Sequence, residues 1–406
     1  MSTSLLYHGF GIRGYKYVHT QYENGSVLFT IRQNTKEMRC AVCGSRRLIR
    51  RGQVWRRFRS VPIGLKPVWI LFAIQRVCCL VCAMVRQVNV GFADPRRSYT
   101  KAFERYALEL SRHMTIQDVA RHLGVSWDVI KEIQKSSLKR RFSRPKLKKL
   151  KRIAIDEITS GHGHRYLTIV LDLDSGAVVF VGEGKGAEAL ELFWERIVRS
   201  KPSIEAVAID MSPAYISAVM EHLPKATIVF DNFHIIKLYN DHLSELRRKL
   251  YHEITTLMEK KVIKGTRWLL LKNPENLDEK RNEPARLQEA LELNKPLATA
   301  YYMKEDLREL WNQPDKKSAE AFLKDWIFRA ASSGIAMLKK MARSMAFHRF
   351  GILAYHDYAI STGPLEGTNN KIKTMKRQAY GFRDMEFFKL KIMAIHETKY
   401  ALVGAR

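Results

Sequence analysis

The residues best suited to chemistry are acids that close short apolar runs. Asp156 ends the run RIAID from Arg152, Asp210 ends EAVAID from Glu205, and Asp231 ends ATIVFD from Ala226. A carboxylate at the carboxyl end of a buried strand sits at the crevice where ligands bind in open α/β sheets. Two of them on neighbouring strands repel each other, and a hard divalent cation relieves that repulsion. Phosphodiester cleavage uses such a cation. One metal activates water or a 3′-hydroxyl, and a second, about 4 Å away, stabilises the leaving oxygen. The competing use of a strand-terminal Asp is to cap the next helix. That use suits Asp231, which precedes Asn232, Phe233 and His234. It suits Asp156 poorly, because a hairpin follows, and Asp210, ahead of Met211-Ser-Pro213, fits either use.

A third carboxylate would complete such a site, and Glu366 is the candidate. It lies in STGPLEGTNNKIKTMKRQAYGFR, from Ser361 to Arg383, which opens a helix with Pro364 in the first turn. Alone, Glu366 could be a first-turn acid favoured by the helix dipole. Its neighbours Asn369, Asn370, Lys371, Lys373, Lys376 and Arg377 form a cationic, amide-rich surface. An acid among such groups is well placed to hold metal beside a phosphate backbone.

The elements that must position these acids follow from the pattern around them. Runs at 166–172 and 177–182 lie at hairpin spacing, with Asp174-Ser-Gly176 as the turn. Residues 186–200 read as an amphipathic helix with Leu190, Phe193, Trp194 and Ile197 inward. Three antiparallel strands, a helix, then further strands and helices is the order of a ribonuclease-H-like α/β domain. His162 and His164 fall in a hairpin loop near Asp156 and are read as loop residues.

All five cysteines lie between Cys40 and Cys82. Cys40-Ala-Val-Cys43, followed by Gly44, and Cys79-Leu-Val-Cys82 are two CxxC knuckles separated by a β-rich stretch. That is the layout of a zinc ribbon with four thiolates and no open coordination position, hence a structural Zn²⁺. Cys78 is the alternative to Cys79. A disulfide set is the weaker reading, since nothing in the sequence suggests export.

Between the cysteines and the first acid the period becomes helical. Phe103, Tyr106, Ala107 and Leu110 share one face. Next come two helices and a tight turn: Thr115 caps the first, Gly124 takes the turn and Ser126 caps the second. Trp127, Asp128, Lys131 and Glu132 are then the outward positions of a helix-turn-helix, facing a major groove. A nearly continuous cationic run, Lys135 to Arg152, follows directly and includes Lys139, Arg140 and Arg141.

The chain of 406 residues holds 70 Lys+Arg against 41 Asp+Glu, a net charge of +29. So large an excess points to a polyanion, and double-stranded DNA is the expected one. No apolar run would cross a bilayer, and the first ten residues are not built like a secretion signal. The chain is therefore expected to stay in the cytoplasm, on the nucleoid. The first 35 residues and the Gly404-Ala-Arg406 tail carry no usable pattern.

Taken together, these segments resemble the ISL-three group of bacterial insertion-sequence transposases. The likeness covers both knuckles, the helix-turn-helix, IAIDE, GHRYLTIVLDLDSG, VAIDMSPAY, IVFDNFHIIKL, RWLLLKNPENL, LATAYYMKEDLRELW and GPLEGTNNKIKTMKRQAYGFRD. It implies a DDE triad of Asp156, Asp210 and Glu366 holding Mg²⁺ or Mn²⁺, with Asp231 and His234 beside it as the D-x-F-H motif. It also implies an all-helical insertion between the second and third acids. The expected order is a multidomain α+β chain: zinc ribbon 1–95, helix-turn-helix and basic linker 96–150, catalytic core 151–239, insertion 240–349, and the rest of the core 350–406. Trp268, Trp311 and Trp326 in the insertion are expected in its core, a stacking role on flipped bases being the alternative. The implied activity is metal-dependent cleavage of DNA at terminal inverted repeats and strand transfer to a target, by a homodimer or larger assembly. A nuclease without strand transfer and a DNA-binding regulator are the rival readings.

Overall fold

A computed structural model describes residues 3–160, 165–400 and 402–403. The chain divides into two compact units, the first ending at Arg140 and the second starting at Arg141.

The first unit is built on a five-stranded sheet: β1 (Tyr15–Glu23), β2 (Ser26–Gln33), β3 (Leu48–Ile63), β4 (Lys66–Cys79) and β5 (Val85–Gln87), in the order β1-β2-β4-β3 with β5 also on β4. The β1–β2 hairpin turns at Asn24-Gly25, both at positive φ (45° and 74°), as a tight two-residue hairpin requires. Thus the N-terminal stretch, which carried no usable pattern, is a hairpin with a recognisable turn signal. Alternate residues of β4, among them Val68, Ile70, Phe72 and Ile74, are buried with Phe29, Phe58 and Phe92. Three helices follow: Lys101–Leu110, Ile116–Leu123 and Trp127–Phe142. Thr115 caps the second as expected, its hydroxyl accepting from the Asp118 N–H at 3.2 Å. Gly124 closes that helix at φ 60°, ψ 43°, a conformation that a Cβ would strain.

The second unit has a mixed sheet of β6 (Arg152–Thr159), β7 (Tyr166–Asp172), β8 (Ala177–Glu183), β9 (Ala206–Ile209) and β10 (Thr227–Phe230), in the order β10-β9-β6-β7-β8. Strands β6, β7 and β8 are antiparallel neighbours; β9 runs parallel to β6, and β10 parallel to β9. Strands β7 and β8 are buried almost throughout, as their continuous apolar runs demand. Gly182 on β8 is required by space: a Cβ there would lie 2.0 Å from the Ala189 carbonyl oxygen. The expected helix at 186–200 starts as a 3-10 turn, Ala187–Leu190, before the α-helix Glu191–Ser200. After β10 the helix Asn232–Glu253 runs on without a break at residue 240, and from there to Phe347 the elements are helices and 3-10 turns. The helix Gly363–Gln378 then returns to β6, followed by Met385–Met393.

The basic linker is less open than its composition suggests. Leu147 and Leu150 are buried in the core of the second unit, and Arg141 pairs with Glu397.

Candidate functional site

Strand β6 does not stop at its acids. It continues to Thr159, so Asp156 lies within the strand, opposite Ile169 of β7. The parallel partner β9 is shorter. The β6–β9 pairing runs from Arg152↔Ala206 to Ala154↔Ala208. Continuing that register by two residues sets Asp156 beside Asp210, just where β9 ends. Alternation turns Glu157 to the other face.

Asp156 is firmly held. Its Oδ1 accepts from the Glu157 N–H at 2.8 Å and its Oδ2 accepts from Asn369 Nδ2 at 2.9 Å. Burial pushes its pKa up, and Asp210 adds to the rise, while the Glu157 N–H and His234 oppose it. Asp210 accepts from the Ser212 N–H at 3.0 Å. Glu366 is exposed in the first turn of Gly363–Gln378, one helical turn before Asn369. That helix therefore reaches the Asp156 strand through Asn369, and residues three apart share a helix face. Among the described residues, the three carboxylates do not converge as tightly as the cysteines described below.

Asp231 stands at the N-cap position of the next helix, Asn232–Glu253, without acting as its side-chain cap. Its Oδ2 instead takes the Thr362 hydroxyl at 2.6 Å and lies 3.0 Å from His234 Nδ1. Asp231 and Thr362 are buried. This bond ties the end of β10 to the residue that opens the Glu366 helix. The Asp231 carboxylate holds His234 above the ordinary imidazole pKa despite burial, with Asp156 and Asp210 contributing. Asp231 itself is held below its usual value by His234 and Thr362, against its burial. Two oxygens here, Asp231 Oδ1 and Asn369 Oδ1, are buried without a hydrogen-bond partner.

Asn369 is the residue the sequence did not single out. It was one of several amides on a supposed surface, yet it is buried, whereas Asn370 is exposed. Lys371, Lys373 and Arg377 are exposed and Lys376 is half-buried, none with a carboxylate partner among the described residues. His162 and His164 lie outside the described residues.

The four knuckle cysteines come together. Their sulfurs all lie within 4.8 Å of one another, with Cys40–Cys82 at 3.6 Å and Cys43–Cys79 at 3.5 Å. A tetrahedron with bonds of ~2.3 Å to a metal has edges of about 3.8 Å, so the four fit a thiophilic ion and are too far apart for disulfides. The Val42 and Val81 N–H groups each point at a knuckle sulfur, Cys40 and Cys79, at 3.4 Å. Backbone N–H groups of Cys82 and Val81 bring the Cys79 thiol down to about 6, while burial and the neighbouring sulfurs push Cys82 up to about 12, as expected of crowded thiols sharing few charges. Cys78 is outside the group.

On the third helix of the first unit Trp127 and Asp128 are exposed, Lys131 and Glu132 only half so. Lys131 Nζ lies 5.6 Å over the Trp127 ring. Lys139 is exposed, and Arg140 is paired with Glu104. Of the three insertion tryptophans, Trp326 is core and Trp311 partly buried. Trp268 is not: it is 65% exposed, under the Arg267 guanidinium. With Arg247, Tyr251, Lys264 and Arg267 it lines a cavity of about 260 Å³.

A family model described as "Transposase" matches residues 153–392, and one described as "Helix-turn-helix domain of transposase family ISL3" matches residues 88–137. The chain belongs to transposase family ISL3. It is 33% identical to the transposase for insertion sequence element IS1001 of Bordetella parapertussis, over 90% of each chain. It is 28% identical to the transposase for insertion sequence element IS1557 of Mycobacterium tuberculosis, over 85% of this chain and 82% of that one. A solved structure, the Drosophila P element transposase strand transfer complex, aligns with 73% of this chain and 92% of that chain at 11% identity and a TM-score of 0.39. The site of this ISL3 chain falls inside the first matched region, and the second covers the helix Ile116–Leu123, the turn and the helix from Trp127 as far as residue 137. Among the described residues no helix is long and apolar enough to cross a membrane.

Proposed function

We propose that this transposase cleaves DNA at the terminal inverted repeats of an insertion sequence and joins the freed ends to a target, using Asp156, Asp210 and Glu366. The observation that carries this reading is the pairing of β6 with β9, which sets Asp156 beside Asp210, while Asn369 brings the Glu366 helix to the same strand. Carboxylate oxygens are the donors that Mg²⁺ or Mn²⁺ takes. The buried, unpartnered oxygens of Asp231 and Asn369 support the reading, since acceptors short of donors fit such an ion. When bound, the ions would activate the attacking oxygen and stabilise the leaving one.

The chain's own side chains do the rest. Asn369 and the Glu157 N–H hold Asp156 in one orientation. Asp231 orients His234 and, with Asp156 and Asp210, raises its pKa, which favours a positive charge near the acids where a phosphate must enter. Hydrolysis at the element end frees a 3′-hydroxyl, which attacks target DNA in line, with no covalent protein intermediate. The sheet order β10-β9-β6-β7-β8 supports a ribonuclease-H-like core at 151–239 and 350–406, with 240–349 as its insertion.

Zn²⁺ on Cys40, Cys43, Cys79 and Cys82 would fix the knuckles of a ribbon within 1–95 as a structural ion. The helix-turn-helix of 96–150 presents Trp127, Lys131, Lys139, Arg140 and Arg141 to the repeats, and Asn370, Lys371, Lys373, Lys376 and Arg377 follow the strand being cut. Two ends must meet, so the working form is a dimer or larger assembly, acting in the cytoplasm on the nucleoid.

The test is to incubate the protein with Mg²⁺, repeat-containing DNA and a target plasmid. Joined products are expected. Cleavage without joining would favour a nuclease, and binding without cleavage a regulator.

A further inference from the structure

The helix Gly363–Gln378 buries Leu365, Thr368, Asn369 and Ile372 and leaves the side flanking Asn369 open. On that side Glu366, Asn370, Lys373 and Arg377 recur at the 4,3,4 spacing that keeps residues on one stripe, and all four are exposed. Beyond Arg377 the stripe ends on Tyr380, whose side chain is 100% exposed.

The backbone there makes this exposure unusual. Gly381 N–H bonds the Lys376 carbonyl at 3.0 Å and Tyr380 N–H bonds the Arg377 carbonyl at 3.1 Å. That pair of bonds is a Schellman cap, and its left-handed position is normally glycine. Here it is held by Tyr380 at φ 50°, with Gly381 only next in line. A tyrosine at that position carries backbone strain and gains no burial in return. Both folding terms would favour glycine. The turn itself is secured from below, where Phe382 stacks on Phe388 with centroids 4.5 Å apart. Arg383 is exposed beside it.

We propose that Tyr380 is a nucleobase-stacking residue, taking an unpaired base of the DNA strand that runs from Glu366 along Asn370, Lys373 and Arg377. An aromatic face among cations is how single-stranded segments are held without regard to sequence. This rests on the reading of Glu366 as the third carboxylate and of the stripe as a DNA contact. Glu366 and Tyr380 are fourteen positions apart, about 21 Å at a helical rise of 1.5 Å. At about 3.4 Å per nucleotide of one strand, the stacked base lies about six nucleotides from the cut.

The experiment uses the full chain with Asp156→Asn, so that the DNA stays intact. The probe is a terminal-repeat duplex with an overhang at the cut end, carrying one 2-aminopurine at successive positions. Fluorescence should be quenched at a position about six nucleotides from the cut. Tyr380→Ala should abolish that quench and weaken binding about tenfold, while Tyr380→Phe and Tyr380→Trp keep both. Tyr380→Gly should also lose the quench, yet melt at a higher temperature than the parent, an effect that a structural role would not give. If Tyr380→Ala and Tyr380→Gly keep the quench and the affinity, stacking is overturned. Lys373→Ala with Arg377→Ala then separates the two causes: weakened binding leaves the stripe as a DNA contact, and unchanged binding removes that reading too.

Discussion

Removing the Asn369 amide tests whether the third-acid helix is held to the first-acid strand by one bond. In Asn369→Ala, Asp156 Oδ2 loses its 2.9 Å donor. A hydrogen bond to a charged group contributes about 1.5–3 kcal/mol. The same substitution removes Asn369 Oδ1, which is buried without a partner, and relief of that desolvation returns roughly 1 kcal/mol. The net loss is then about 0.5–2 kcal/mol, and at about 2–4 °C per kcal/mol for a unit of this size the melting temperature should fall by a few degrees. The effect on end cleavage should be larger than folding alone implies, because Asp156 loses its orientation and the Glu366 helix its tether. A tenfold to hundredfold drop is expected, equivalent to about 1.4–2.7 kcal/mol of barrier. Asn369→Asp should be worse, since it sets a second carboxylate against Asp156. The assays are thermal melting and single-turnover cleavage of an end duplex in Mg²⁺. If Asn369→Ala melts and cleaves like the parent, the bond does not position the site.

Other expectations rest on separate parts of the chain. Cys79→Ser should lower zinc content measured by mass spectrometry and cost specific DNA binding, whereas Cys78→Ser should change neither, because Cys78 lies outside the thiolate group. Gly182→Ala forces a Cβ to 2.0 Å from a backbone oxygen; a strand shift costing about 1–3 kcal/mol should appear as a lower melting temperature. Thr362→Val removes the 2.6 Å bond to buried Asp231, so stability should drop by about 1.5–3 kcal/mol by denaturant titration.

Local patterning made much of this legible. Apolar runs closed by acids gave the strands of the second sheet, and the CxxC spacing gave the thiolate centre. The helix-turn-helix was readable from Thr115, Gly124 and the inward apolar residues between them. What stayed hidden depends on tertiary contact. Asn369 and Asn370 are adjacent and alike in type, and only the packing of their helix on β6 buries one and exposes the other. Asp231 looked like a cap because its partner Thr362 is 131 residues away. Trp268 and Trp326 both lie on amphipathic patterns, but among the described residues it is the Trp326 indole N–H that finds a partner, the Met303 carbonyl. The Asn24-Gly25 hairpin was legible in principle, since that dipeptide favours the two-residue turn it forms.

The central claim is that Asp156, Asp210 and Glu366 hold the metal that cuts DNA. Its most direct test is Mg²⁺- and Mn²⁺-dependent cleavage of an end duplex by Asp156→Asn, Asp210→Asn and Glu366→Gln, with affinity for the same duplex measured in parallel. Each variant should bind DNA like the parent and show cleavage at background. Cleavage at the parental rate by any one of the three would remove that residue from the site and contradict the account.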